Sequence, residues 1–195
     1  MKSKLIILSL ILALVLSGCA GAMIPNPKTV DGGIPWEGSW TNLGGQVGVE
    51  PPGGDFAMLT SNGRLDGLTI RYATWVCGEE TVTEDDKSLF EGQIYLMTEA
   101  CGSAEEAAAA LDQWNAQFGS GLEITSREEI TVGGSQFELL HYDCVEPDSH
   151  FSRGVAAFWQ WGELVLVADI AAVPTLELDL SATMEHFLSG IHYAD

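Results

Sequence analysis

Two periodicities run through the chain, one of strands and one of helices. Residues 67–77 (GLTIRYATWVC) are β-branched and aromatic, as a strand requires. Residues 89–99 (LFEGQIYLMTE) repeat that character beyond an acidic stretch at 79–87, and the pair reads as an antiparallel hairpin. Ala107, Leu111, Trp114 and Phe118 then fall at spacings of four, three and four, the signature of one apolar helix face. Ser103-Ala104-Glu105-Glu106 stands where a capping box belongs, with the Ser103 hydroxyl accepting from the amide of Glu106 and the Glu106 carboxylate reaching back to the amide of Ser103. Gly119 ends that helix. Strand character returns at 128–132 and 136–145 around Gly133-Gly134, a two-glycine hairpin signal, and again at 153–161 and 164–172 around Gly162-Glu163. Pro174 closes the sheet. A last amphipathic helix, starting between Thr175 and Ser181 and ending near Ile191, buries Met184, Phe187, Leu188 and Ile191.

The order is therefore β-hairpin, helix, four-strand meander and C-terminal helix. Sequential hairpins give a largely antiparallel sheet, and two helices with apolar stripes must bury them on it. The fold class is α+β, a largely antiparallel β-sheet packed by two helices. Residues 36–55 are glycine-rich and carry Trp36, Trp40, Val47 and Val49, which predicts a short strand or hairpin leading in and closing at Pro51-Pro52-Gly53-Gly54. No internal repeat is present. Over residues 36–193 this order of elements resembles PsbP-like domains. The resemblance implies an antiparallel sheet sandwiched by helices, and an accessory protein that binds partners.

The N-terminus has a different grammar. Met1-Lys2-Ser3-Lys4 is a short basic start, followed by an apolar run from Leu5 to Leu16 broken only by Ser9. Basic segment, apolar stretch and small residues make an export signal. The run is about a dozen residues, short of the roughly 20 that span a bilayer. Leu16-Ser17-Gly18-Cys19 resembles the lipobox of bacterial lipoproteins. That resemblance implies cleavage before Cys19 and a diacylglycerol thioether on its sulfur. Residues 1–18 are then a lipoprotein signal peptide, 19–35 the lipidated cysteine and a Pro/Gly-rich tether, and 36–195 a single domain. The expected location is the extracytoplasmic face of the cell membrane, with the membrane itself a partner through the lipid on Cys19.

Charge sharpens this picture. The mature chain keeps six basic residues against 28 acidic ones, a net charge of −22. Such a surface repels nucleic acid and anionic headgroups, so no nucleic-acid partner is expected and the lipid must do the anchoring. With 46% hydrophobic residues the chain can still fill a core.

With Cys19 consumed by lipid, Cys77, Cys101 and Cys144 remain for one disulfide of undetermined pairing and one leftover thiol. Their spacings fit no zinc pattern. No nucleophile elbow, metalloprotease helix, phosphate loop or dinucleotide fingerprint occurs. Glu79, Glu80, Glu84, Asp85 and Asp86 form an acidic hairpin tip without the spacing of a calcium loop. His141 and Asp143 share a strand face as a solvent-side pair, and His186 and His192 sit near the end of the last helix, where its dipole favours a cation. Trp36, Trp75 and Trp159 are the candidate binding residues if they line a groove, against the alternative that they pack between sheet and helices. The functional expectation is a non-enzymatic binding or accessory module with no cofactor, recognising a protein, peptide or glycan. The alternatives are a carboxylate-dependent hydrolase or a structural envelope lipoprotein.

Cys19→Ser is expected to release the protein from membranes, measured by fractionation of cells; a variant that stays in the membrane pellet contradicts the lipobox.

Overall fold

The computed structural model describes residues 40–43, 47–64, 70–83, 87–118, 121–146 and 149–193. The expected signal, Cys19, the tether and Trp36 lie outside these residues, as do Glu84, Asp85 and Asp86. The elements in chain order are β1 (Trp40–Leu43), β2 (Val47–Val49), β3 (Ala57–Arg64), β4 (Ile70–Val82), β5 (Ser88–Ala100), α1 (Ala104–Gln117), β6 (Leu122–Val132), β7 (Ser135–Cys144), β8 (Arg153–Trp161), β9 (Leu164–Ala172), α2 (Leu180–Ser189) and β10 (Ile191–Tyr193). Seven strands form one sheet in the order β3-β4-β5-β9-β8-β7-β6, and β1-β2-β10 form a small second sheet. Neighbouring strands are antiparallel throughout. This is the expected α+β class, with the hairpin β4–β5 and the meander β6–β9 in place.

The turn chemistry explains the connections. Gly133 and Gly134 both have positive φ, 58° and 87°, the backbone that a two-residue turn needs to match strand twist. α1 carries the chain from the end of β5 out to the sheet edge at β6, and the meander then returns inward until β9 pairs with β5. This connection places β9 at the centre. All nine of its residues are buried, so its sequence LVLVADIAA reads as a continuous apolar run with a single charge.

Alternation along the strands builds two cores. On one face Trp75, Ile94, Leu139, Leu166 and Ile170 pack with Met184 and Phe187 of α2 and with Val47 and Val49 of β2. On the other, Met97, Leu140, Tyr142, Val165 and Val167 pack with Ala107, Trp114 and Phe118 of α1. Trp114 is fully buried and donates from Nε1 to Glu99 Oε2 at 2.9 Å, so its polar edge is satisfied at the helix–sheet interface.

Several sequence expectations are corrected. Glu79 and Glu80 belong to β4 rather than to a turn, and Ser88 of β5 donates to Glu80 Oε1. The capping box is half displaced. Ser103 Oγ accepts from Glu106 N at 3.1 Å, but the Glu106 carboxylate reaches the amide of Gly102, at 3.0 Å. Ile191 opens β10 instead of ending α2, and His192 lies on β10 beside Glu50. Strand β3, at the sheet edge, was not anticipated.

For the disulfide expected among Cys77, Cys101 and Cys144, the sheet keeps Cys77 out of reach of either other cysteine. Cys77 (β4) and Cys144 (β7) flank β5, β9 and β8, four strand spacings or about 19 Å. Cys101 follows Ala100 at the other end of β5 from Gly92, the partner of Cys77, roughly 30 Å along the strand. A disulfide needs Cα atoms within roughly 7 Å.

The charge inside β9 is Asp169, 3% exposed, which accepts a 2.7 Å hydrogen bond from Tyr142 Oη. Tyr142 reaches it by lying over Gly154, where a Cβ would come within 2.2 Å of Oη. Across the strand pair stands Tyr95, whose hydroxyl burial also holds protonated. Burial pushes the Asp169 carboxyl up to about 7, against the lowering effect of the Tyr142 hydrogen bond. A carboxyl raised from 3.8 on folding contributes its stability in full below about pH 4 and loses it as pH climbs through 7, a swing on the order of 4 kcal/mol. Asp169→Asn is therefore expected to gain on the wild type steadily between pH 4 and 8 in thermal unfolding; parallel profiles contradict a protonated buried carboxyl.

Candidate functional site

Among the described residues a cleft lies on the α2 face of the sheet. Its floor includes Cys77 on β4, which stands opposite Gly92 on β5. A Cβ on Gly92 would fall 2.6 Å from Cys77 Sγ and 2.7 Å from Leu176 Cδ2, so the glycine is what lets the Cys77 thiol and Leu176 settle against the sheet there. The segment beyond β9 is tied over it. Arg153 Nη2 donates to the carbonyls of Leu176 at 2.9 Å and Leu178 at 3.4 Å, and Val173 N donates to Glu91 O at 2.8 Å. Asp179 then caps α2, its Oδ1 accepting from Ala182 N at 3.0 Å.

One flank of α2 thus forms a wall, through Ala182, Thr183 and His186. The loop between β2 and β3, residues 52–56, forms the other. Between them is an open cleft of about 450 Å³. Pro52, Phe56, Leu176 and Leu178 line it with apolar surface, and Asp55, Glu177 and His186 stand at its exposed edge. The His186 imidazole lies against Gly53, where a Cβ would approach Nε2 to 3.3 Å.

Cys77 is buried at the floor, and its thiol is pushed up to about 11, first by burial and then by the negative charges of Asp55 and Glu91. A thiol in this state is not a nucleophile near neutral pH, since the thiolate is the reactive form.

A second cluster lies where α2 meets β6 and β7. Ser181 Oγ donates to Glu128 Oε2 at 3.0 Å, His141 Nε2 lies 3.1 Å from that same oxygen, and Ser181 Oγ is 3.4 Å from His141 Nε2. The residue types are those of a hydrolytic triad, but the wiring is not. In a triad the serine meets one ring nitrogen and the carboxylate orients the other. Here carboxylate and serine share Nε2, and the hydroxyl proton points at Glu128. The cluster ties the start of α2 to the sheet. It also corrects the expected His141–Asp143 pairing, since the partner of His141 comes from β6.

The other candidates resolve as follows. Trp75 is 1% exposed and meets Phe187 edge-on at 5.2 Å between ring centroids. Trp159 is also buried and donates from Nε1 to Tyr193 Oη at 2.7 Å, while Trp161 stacks on the same tyrosine at 4.5 Å. The Trp159–Trp161 pair thus clamps β10 to the sheet, and neither Trp75 nor Trp159 lines the cleft. His150 contacts the Phe90 carbonyl. Among the described residues no group of three or more His, Cys, Asp or Glu side chains is arranged to hold a metal ion. None of their helices is long and apolar enough to cross a membrane.

No protein-family model matches this chain, and no curated protein matches it in sequence. Its structure is similar to the solution structure of cyanobacterial PsbP (CyanoP) from Synechocystis sp. PCC 6803, with a TM-score of 0.49 and 10% identity over 87% of this chain and 100% of that one. It is also similar to a crystal structure from Bacteroides thetaiotaomicron VPI-5482, with a TM-score of 0.41 and 8% identity over 80% of this chain and 48% of that one. Both likenesses are of backbone arrangement at low identity.

A rise of the thiol from 9.0 to about 11 implies roughly 100-fold less thiolate at pH 8. Cys77 is therefore expected to alkylate with iodoacetamide at least that much more slowly in the folded protein than in urea, followed by mass spectrometry of its peptide. Equal rates would contradict the buried floor.

Proposed function

We propose that this chain is a lipid-anchored, extracytoplasmic, non-catalytic binding module that engages its partner through the cleft between α2 and residues 52–56. The cleft is the observation that carries the reading. Its volume is that of an ordinary ligand pocket or a socket for an inserted side chain, with apolar walls and a few polar groups at the mouth. Its floor thiol is held protonated, and the Ser181–His141–Glu128 cluster is wired as a structural tie. Both features favour binding over covalent chemistry.

The anchor supplies the setting. Cys19 with its lipid would hold the domain at the membrane through the 19–35 tether, and the net charge of −22 disfavours docking of the domain itself on anionic lipid. Among the described residues no tryptophan lines the cleft, and Phe56 and His186 are its rings. A protein or peptide group suits these walls better than a sugar, which needs a broad aromatic platform.

Filling the cleft tests this. The acylated wild type is expected to retain a partner from solubilised membranes, and Ala182→Trp to lose that same partner with its unfolding midpoint shifted by no more than a few degrees. Equal recovery by a folded Ala182→Trp protein, or no partner with the wild type, counts against the reading.

A further inference from the structure

The cleft also has a sign. The ionisable side chains lining it are Asp55, Glu177, His186 and the Cys77 thiol, and it has no lysine or arginine among its lining residues. Glu91, below the floor, adds a third carboxylate whose charge, with that of Asp55, is felt at Cys77 Sγ. The walls behind these groups are apolar: Pro52, Phe56, Leu176, Leu178 and Ala182. Resting on the reading of the cleft as the binding site, we propose that its ligand is an apolar body ended by a positively charged nitrogen, an aliphatic or aromatic ammonium group.

The physical case is complementarity at short range. An apolar body displaces water from the walls and gains in proportion to the area it buries. A carboxylate or phosphate on that body would be brought beside Asp55 and Glu177, while the nearest guanidinium, Arg153, is engaged by the carbonyls of Leu176 and Leu178 and is not among the lining residues; like charges brought together in this way cost several-fold in affinity or more. A neutral headgroup leaves the two carboxylates as they were in water. An ammonium group alone gains from both the walls and the rim. Because Asp55 and Glu177 are exposed, each contributes a screened interaction, a few-fold in affinity at low salt. The preference should therefore fade as salt rises, whereas the apolar part of binding persists.

The test uses three matched probes on the soluble Cys19→Ser chain: phenethylammonium, phenethyl alcohol and hydrocinnamate. Binding is followed by amide chemical shifts at Cys77, Gly78, Leu176 and Leu178, in low salt and again at high salt. The expected result is roughly tenfold tighter binding of phenethylammonium than of hydrocinnamate at low salt, with the alcohol between them. Asp55→Asn combined with Glu177→Gln should remove that order, while Ala182→Trp should abolish the shifts from all three. Hydrocinnamate binding as well as phenethylammonium, or an ammonium preference surviving the double neutralisation, overturns the proposed ligand class and leaves the cleft a binding site. Shifts that persist in Ala182→Trp, or no probe binding at all, overturn both the ligand class and the cleft reading beneath it.

Discussion

Strand β9 has no face in water, and the arrangement of the other elements follows from covering it. It pairs with β5 on one edge and β8 on the other, so it joins the N-terminal hairpin to the meander as one sheet. Its two faces then demand separate lids. α1 supplies one, passing from the end of β5 to the far edge at β6. α2 supplies the other, helped by β2, because ten helical residues are too few to span seven strands. The cleft is the gap between α2 and the loop 52–56 that follows β2. Its floor reaches Cys77 of β4, toward the β3 edge of the sheet.

The same burial makes the charge of Asp169 costly. A protein this acidic invites the idea that mutual repulsion raises its carboxyls, but the leading cause at Asp169 is desolvation, with the Tyr142 hydrogen bond acting in the opposite direction. Surface carboxylates repel through water and salt, which screen them within about 8 Å at physiological ionic strength. A carboxyl under α1 has no such relief. The glycine at 154 belongs to this arrangement, since it clears the path by which Tyr142 reaches the acid.

Most of the main sheet was legible in the sequence because its central strands are β-branched runs separated by glycine turns. Strands β8 and β9 match their expected limits at 153–161 and 164–172. The helix stripe was legible too, with Ala107, Trp114 and Phe118 buried as their spacing requires. Strand β3 was not, since AMLTSNGR has no alternation and its pairing with β4 shifts register twice. β10 was hidden by a coincidence of period, because Ile191 follows Met184, Phe187 and Leu188 at helical spacing. The tryptophans were legible as core or groove but not as the clamp on Tyr193, whose partners lie more than thirty residues away. The cleft is built from four separated segments, and local pattern carries no sign of which segments meet. The Ser181–Glu128 contact spans 53 positions for the same reason.

The charge of the domain and the sign of its cleft act at different ranges. The chain's net charge of −20 draws any cation inward and repels any anion, without telling one cation from another. Discrimination requires contact, and contact requires a place where apolar surface and carboxylates occur together. A small hydrated metal ion would feel the first effect but gain nothing from Phe56, Leu176 and Leu178. A neutral apolar molecule would gain from those walls but not from the field. Only a ligand with both parts uses the long-range attraction to arrive and the cleft to stay, and its residence, unlike its arrival, should depend on the walls.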